Sequence, residues 1–242
     1  MKNYRILYCG DTAFSVEFGS SISPAANALV HALAAELEKY RGIWLTETVP
    51  SFRSLLVIYD PVSVKPEKVK KKLEKICGSL SAGADVNSKK RTVLIPVCYG
   101  GKYGEDLKDV ARINSLTAEE VIKIHSGTDY LIYMLGFLPG FPYLGGLDSR
   151  LETPRLDSPR TKIPAGSVGI GGSQTGIYPL ASPGGWRLIG KTPVRPYDAS
   201  RNPAVLYKAG DYIRFVPVGE DEFDRIDRLA EKGEYECPVE IK

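Results

Sequence analysis

Residues 135–193 read LGFLPGFPYLGGLDSRLETPRLDSPRTKIPAGSVGIGGSQTGIYPLASPGGWRLIGKTP. Proline removes a backbone donor and clashes inside a helix, and glycine is entropically costly there, so a stretch dense in both excludes long helices. The apolar pieces between the breaks are short, as at residues 167–170 and 186–189. Short strands joined by tight turns and ordered loops follow, which means a barrel or a sandwich. Upstream, residues 92–99 have strand character and residues 105–112 predict a short helix. Thr117 and Glu120 form a T-x-x-E capping box, opening a helix that runs through about Ser126 and closes at Gly127. Residues 130–135 return to strand character. Downstream, residues 205–207 and 212–216 supply closing strands around the turn residues 208–211.

The first third has a different texture. Strands at residues 6–9 and 13–18 flank the turn signal Gly10-Asp11. Ser23-Pro24 starts a helix, with Ser as N-cap and Pro where its missing N–H costs nothing. Leu29, Leu33, Leu37 and Tyr40 recur at helical spacing, and Gly42 ends the run. Strands at residues 43–49 and 55–59 precede a second helix from about Pro66, with Val69, Leu73 and Ile76 inward and lysines outward. The order strand, strand, helix, strand, strand, helix implies a compact sheet with helices on one face, close to the ferredoxin-like plan. Residues 79–90, SLSAGADVNSKK, are small, polar and aperiodic, as a linker is. Two domains follow: a small α/β domain at residues 1–82 and a mainly β domain at residues 91–242.

A chain of 242 residues, 43% hydrophobic and 25% charged, has the composition of an ordinary globular protein. Its net charge of +3 gives no case for a nucleic-acid surface, and the lysine-rich stretch at residues 65–75 is the solvated face of a helix. Cys9, Cys77, Cys98 and Cys237 form no CxxC pair and lack a nearby histidine, so no metal site is expected. Scattered cysteines of this kind are expected to be reduced, buried thiols of a cytoplasmic protein. The first residues lack the apolar core of a signal peptide, and no apolar run nears the roughly 18 residues of a membrane span.

Composition alone names no activity. His31 sits within the first amphipathic helix and reads as structural or solvent-facing. His125 ends a capped helix that leads into the Gly/Pro-rich region, where a cation is also favoured; structural and functional readings both stand for it. HExxH and GxSxG are absent. Residues 185–192, GWRLIGKT, satisfy the P-loop spacing, but Trp, Arg, Leu and Ile read as a strand, and Pro193 and Pro196 oppose the helix a phosphate loop needs. No nucleotide is therefore expected to bind this chain.

Residues 135–193 also carry the candidate chemistry. Phe137, Phe141 and Tyr143 make an aromatic cluster. In Pro154-Arg155 and Pro159-Arg160, proline stiffens the backbone, so less entropy is lost when each guanidinium clamps a carboxylate or phosphate. Gln174 and Thr175 beside Gly176 can present polar groups to a carbonyl while the backbone approaches closely. These features suit a pocket for a small anionic amide. They equally suit a rigid docking surface, because aromatics ringed by arginine are common at protein interfaces.

The segments GFLPGFPYLGGLD, the two PR steps, IPAGSV, QTGIYP and SPGGW resemble the shared signature of one family. It contains the B subunits of 5-oxoprolinase, the sporulation-kinase inhibitor of bacilli and proteins labelled allophanate hydrolase subunit 1. The resemblance spans essentially the whole chain; Lys191 departs from the arginine more usual there. It implies a cyclophilin-like β-barrel for the second domain, and partner 5-oxoprolinase subunits C and A that together with it open 5-oxoproline to L-glutamate with ATP hydrolysis. A lactam carbonyl is a poor electrophile, so phosphorylating the amide oxygen supplies a leaving group, and arginines suit the substrate carboxylate or the transferring phosphoryl group. On that basis Arg155 and Arg160 hold the anion, Gln174 and Tyr178 orient it, His125 relays a proton, and Phe137, Phe141 and Tyr143 face the C subunit. Two other functions stay open within the resemblance: inhibition of a sensor histidine kinase, and membership of an allophanate hydrolase or urea carboxylase system.

Overall fold

In a computed structural model, which describes residues 4–80 and 90–242, the chain divides into two units, Met1–Ser88 and Lys89–Lys242. Residues 81–89 of the expected linker lie outside the described residues, while Ser79 at its start still belongs to the preceding helix.

In the first unit, β1 (Tyr4–Tyr8), β2 (Ala13–Phe18), α1 (Pro24–Leu37), β3 (Leu45–Pro50), β4 (Ser54–Tyr59) and α2 (Pro66–Ser79) follow in order. The strands form an antiparallel sheet in the order β1-β2-β4-β3. Alternation decides its faces: Phe14, Val16 and Phe18 on β2 and Leu55, Val57 and Tyr59 on β4 are buried together with Val30, Leu33 and Leu37 of α1 and Val69 and Leu73 of α2. The Ser23 side chain accepts from the Ala26 N–H, the expected cap, and Pro24 takes the first turn. The element order is thus strand, strand, helix, strand, strand, helix, the order expected from the sequence.

The second unit is built on β5 (Arg91–Tyr99), α3 (Leu107–Ile113), α4 (Ala118–Ser126), β6 (Tyr130–Leu135), β7 (Pro142–Gly145), β8 (Arg160–Ile163), β9 (Ser167–Gly171), β10 (Gln174–Ile177), β11 (Ser182–Gly184), β12 (Arg187–Lys191), β13 (Tyr212–Pro217), α5 (Glu220–Glu231) and β14 (Val239–Ile241). One sheet runs β10-β9-β12-β5-β13-β6-β7, with β14 added on β5, and β8 and β11 form a separate ribbon. Among these strands only the β5–β13 pairing is parallel. The two end strands, β10 and β7, lie side by side. A Cβ at Gly176 would sit 3.3 Å from the Pro142 carbonyl oxygen. The sheet is thus a nearly closed barrel, and its inward residues, among them Ile95, Ile132, Val168, Ile170, Ile177 and Phe215, make the main core with α3, α4 and α5.

The capping box is present in both directions: Thr117 N–H donates to Glu120 Oε2 at 2.8 Å and Glu120 N–H to Thr117 Oγ1 at 3.1 Å. Residues 205–207 are not a strand; Val205 makes only an isolated bridge with Tyr197. The span between β12 and β13 is instead an irregular loop held by Arg201, which donates to the carbonyls of Arg195, Pro196, Pro203 and Ala204. The apolar residues at 205–207 pack on the core from that loop, so their hydrophobicity reports burial without a ladder. The expectation of uniformly buried thiols is also corrected, since Cys9 is exposed and Cys237 half-buried, while Cys77 and Cys98 are buried. Among the described residues no helix is long and apolar enough to cross a membrane.

Candidate functional site

A second, smaller apolar cluster lies apart from the barrel core: Phe141, Ile163, Tyr178, Trp186 and Leu188, with Leu138 and Tyr143 packed against it. Its floor is glycine. Residues 168 and 170 point into the barrel, so Gly169 and Gly171 face the other way, and Gly176 pairs with Gly169 across the β9–β10 ladder. A Cβ at Gly171 would collide with the Trp186 indole, one at Gly176 would lie 3.1 Å from Trp186 Cζ3, and one at Gly169 would lie 3.4 Å from Trp186 Cβ. The glycine density of this segment therefore seats one tryptophan on bare backbone. Phe141 packs edge-on against Trp186, Tyr178 and Tyr143 at centroid distances of 5.7, 5.6 and 5.3 Å.

The two arginines separate. Arg160 is committed: its guanidinium donates to Asp106 Oδ1 at 2.9 Å and to the Trp186 carbonyl at 3.3 Å, and its Nε lies 3.0 Å from Glu105 Oε1. Asp106, buried at the start of α3, also accepts from the Leu188 N–H at 2.6 Å and returns its own N–H to the Leu188 carbonyl at 2.9 Å. Gly104 lets the chain pass this close to β12, because a Cβ there would overlap the Ile189 carbonyl. Arg160 thus ties α3, the β8–β11 ribbon and Trp186 together. Arg155 is exposed and makes no hydrogen bond or ion pair among the described residues. Both arginines stand near Tyr178: burial pushes its phenol pKa up, and the charges of Arg155 and Arg160 and the Trp186 backbone N–H pull against that.

Gln174 opens β10 on the same face as Gly176, beside the tryptophan floor. His125 is elsewhere. It is fully buried in the barrel, stacked on Phe215 at 4.5 Å between centroids. The Thr175 hydroxyl donates to the Gly169 carbonyl at 3.0 Å, so it accepts from His125 Nε2–H at 2.8 Å, and Nδ1 accepts from the Tyr99 hydroxyl at 2.7 Å. Both nitrogens are used and burial lowers the pKa to about 3, so the ring is neutral and meets no solvent. The expected proton relay at this histidine finds no route to a ligand; one strand residue, Thr175, separates it from the face that carries Gln174.

The expected interface aromatics are split as well. Phe141 is buried and Tyr143 half-buried, so neither is free for a partner as a whole side chain. Phe137 is 66% exposed and holds a left-handed φ of 64°, a strained state for a side chain of this size. The turn that presents it is fixed from behind by Tyr207, whose buried hydroxyl donates to the Gly140 carbonyl at 2.9 Å. Residues 185–192 have no phosphate-loop geometry: Arg187–Lys191 is β12, and the residues after it are not helical. Among the described residues no three His, Cys, Asp or Glu side chains cluster as metal ligands. Asp106 carries no local signal of its role; for Trp186 the available cue is a tryptophan following the alternating glycines Gly169 and Gly171 and the further Gly176.

Residues 4–207, which include every candidate site residue named above, match the model of the carboxyltransferase domain, subdomain C and D. The chain is 46% identical to the 5-oxoprolinase B subunit of Bacillus subtilis, across 91% of this chain and 95% of that one. It belongs to the family of 5-oxoprolinase B subunits. A second member, from Escherichia coli O157:H7, is 39% identical over 91% of this chain and 99% of its own length. The crystal structure of the Kluyveromyces lactis urea carboxylase superposes with a TM-score of 0.80 over 99% of this chain and 24% of the larger enzyme. At 21% identity that likeness speaks for the fold alone.

Proposed function

We propose that this chain is the B subunit of an ATP-dependent 5-oxoprolinase, acting with subunits A and C to open 5-oxoproline to L-glutamate. The observation that carries this is family membership at 46% identity over nearly the full length of both chains. The site agrees chemically. Arg155, exposed and uncommitted, can clamp the substrate carboxylate; Gln174 and the Tyr178 hydroxyl flank it; Trp186 and Phe141 give the ligand a rigid wall. Arg160 and His125 act as positioning residues, the first by fixing Trp186 and the second by fixing β9 and β10 through Thr175. Phe137, on its pinned turn, is the anchor we assign to the C subunit, with Tyr143 behind it. ATP is bound by another chain of the complex, a reading supported by the strand geometry of the P-loop lookalike. We read the barrel as cyclophilin-like and the first unit as ferredoxin-like; neither fold carries the activity by itself.

Co-expression with subunits A and C tests this. The expected result is a stable complex that releases glutamate from 5-oxoproline only with ATP and only when all three chains are present. A complex that forms but releases no glutamate, while this chain suppresses autophosphorylation of a sensor histidine kinase, would replace the enzyme reading with the inhibitor one.

A further inference from the structure

Three buried side-chain atoms stand out among the described residues: Thr92 Oγ1, Glu240 Oε2, whose one contact is Lys242 Nζ at 2.9 Å, and Ser182 Oγ, the first and last with no hydrogen-bond partner. The first two residues are cross-strand neighbours on β5 and β14, and Glu240 is ion-paired with Arg214 and Lys242. Ser182 stands apart from them, on the ribbon beside the aromatic cluster. Its residue is 8% exposed, its register partner is Ile163 of that cluster, and Pro183 next to it is exposed, as strand alternation requires. The register shifts between Ser182 and Gly184, but the extra residue lies on β8, so Ser182 still shares a face of β11 with Gly184. That face looks onto Tyr178, since a Cβ at Gly184 would lie 2.6 Å from the Tyr178 hydroxyl. The same phenol feels the charge of Arg155, which has no anion of its own. An orphaned hydroxyl thus lies on the strand face that meets this phenol, and the charge of a guanidinium with no ion pair among the described residues acts on the same phenol.

A buried hydroxyl left unsatisfied is destabilising, and a native protein tolerates one where a ligand completes it. We infer that Ser182 is a ligand-binding residue of this site: its hydroxyl donates a hydrogen bond to the carboxylate of the small anionic substrate that Arg155 clamps. The inference rests on the 5-oxoprolinase reading for the identity of that carboxylate, and on the geometry for the residue. A hydroxyl and a guanidinium on one carboxylate divide the task, Arg155 supplying charge from the rim and Ser182 fixing the ligand's depth against the ribbon.

The test uses the assembled three-chain complex with Ser182→Ala and Ser182→Thr. Uniform binding of a carboxylate sets KM and leaves kcat alone. Ser182→Ala is expected to raise KM for 5-oxoproline about tenfold, leave kcat and KM for ATP unchanged, and leave the Tm of the isolated chain at or above that of wild type. Ser182→Thr, which keeps the hydroxyl, should recover most of the loss. Unchanged KM in Ser182→Ala would overturn the inference and assign the hydroxyl to a bound water. A rise in KM for ATP alone would overturn the carboxylate assignment, and a fall in kcat together with Tm would make Ser182 a scaffold residue. Calorimetric titration of the same complexes with 5-oxoproline separates this from the functional reading. Binding by wild type that weakens in Ser182→Ala upholds Ser182 even if no glutamate is released, and absence of binding by wild type sinks it.

Discussion

The barrel core and the aromatic cluster outside it are both apolar, yet they treat polar groups in opposite ways. In the barrel, His125 is closed in: the Tyr99 and Thr175 hydroxyls use both nitrogens of its ring, and the Gly169 carbonyl takes the Thr175 proton. Beside the cluster, Ser182 is buried without a partner and Arg155 stands with none. The barrel core is shaped by large residues alternating along strands; the cluster is shaped by glycines that remove side chains so that Trp186 can lie on backbone. A stretch of core that satisfies its polar groups, as that around His125 does, is a scaffold, whereas a small cluster with an unsatisfied group at its rim is a place where something else completes the bonding.

Trp186→Ala removes the centre of the cluster and should cost about 3–5 kcal/mol in denaturant unfolding. The sharper measurement is whether Trp44, in the first unit, and the far-ultraviolet signal of the barrel keep their own transitions. Loss of barrel structure in this variant would break the distinction between scaffold and surface.

Arg160→Lys keeps the charge but cannot reach Asp106, Glu105 and the Trp186 carbonyl together, and a loss of roughly 2 kcal/mol is expected from the charge-assisted bonds given up. Arg155→Lys, with no protein bond to lose, should leave Tm unchanged and raise KM for 5-oxoproline. Equal behaviour of the two variants would erase the assignment of one arginine to scaffold and the other to ligand.

The closed environment of His125 makes stability depend on pH. The unfolded histidine takes up a proton below about 6.5, while the folded one stays neutral until about 3. The unfolded state therefore binds more protons within that window, so this contribution is complete above it and is lost as pH falls through it. Between pH 7 and 5.5 the loss should be roughly 1.3 kcal/mol. Urea titrations at the two values check this, and a His125→Gln variant should show no such slope between them.

Phe137→Gly should have the smallest effect on the chain alone. Relief of the left-handed backbone stabilises it by up to about 1 kcal/mol, offset by the lost edge contact with Phe141. The same change should weaken the complex with the C subunit, read as earlier dissociation on dilution. A complex of unchanged affinity would take Phe137 out of the interface.

The sequence by itself determined what local bonding and periodicity determine. Ser23 before Pro24 and Thr117 before Glu120 start helices, because a cap needs only its own next three residues. Alternation at residues 13–18 and 55–59 decides which face of the first sheet is buried, and glycine and proline density excludes long helices from residues 135–193. The acidic first turn at residues 220–222, with Phe223 and Ile226 on one face, is a legible signal for α5 as well, though no helix was expected there. Tertiary structure alone decided which polar residues are free. Arg155 and Arg160 sit in nearly identical Pro-Arg steps, yet Arg160 meets Asp106 from 54 residues away and Arg155 makes no hydrogen bond or ion pair among the described residues. His125 suits either role by its place in the sequence until β10 lays Thr175 against it, 50 residues on. Spacing encodes contacts within a turn or a ladder; availability for chemistry is set by neighbours that only folding brings near.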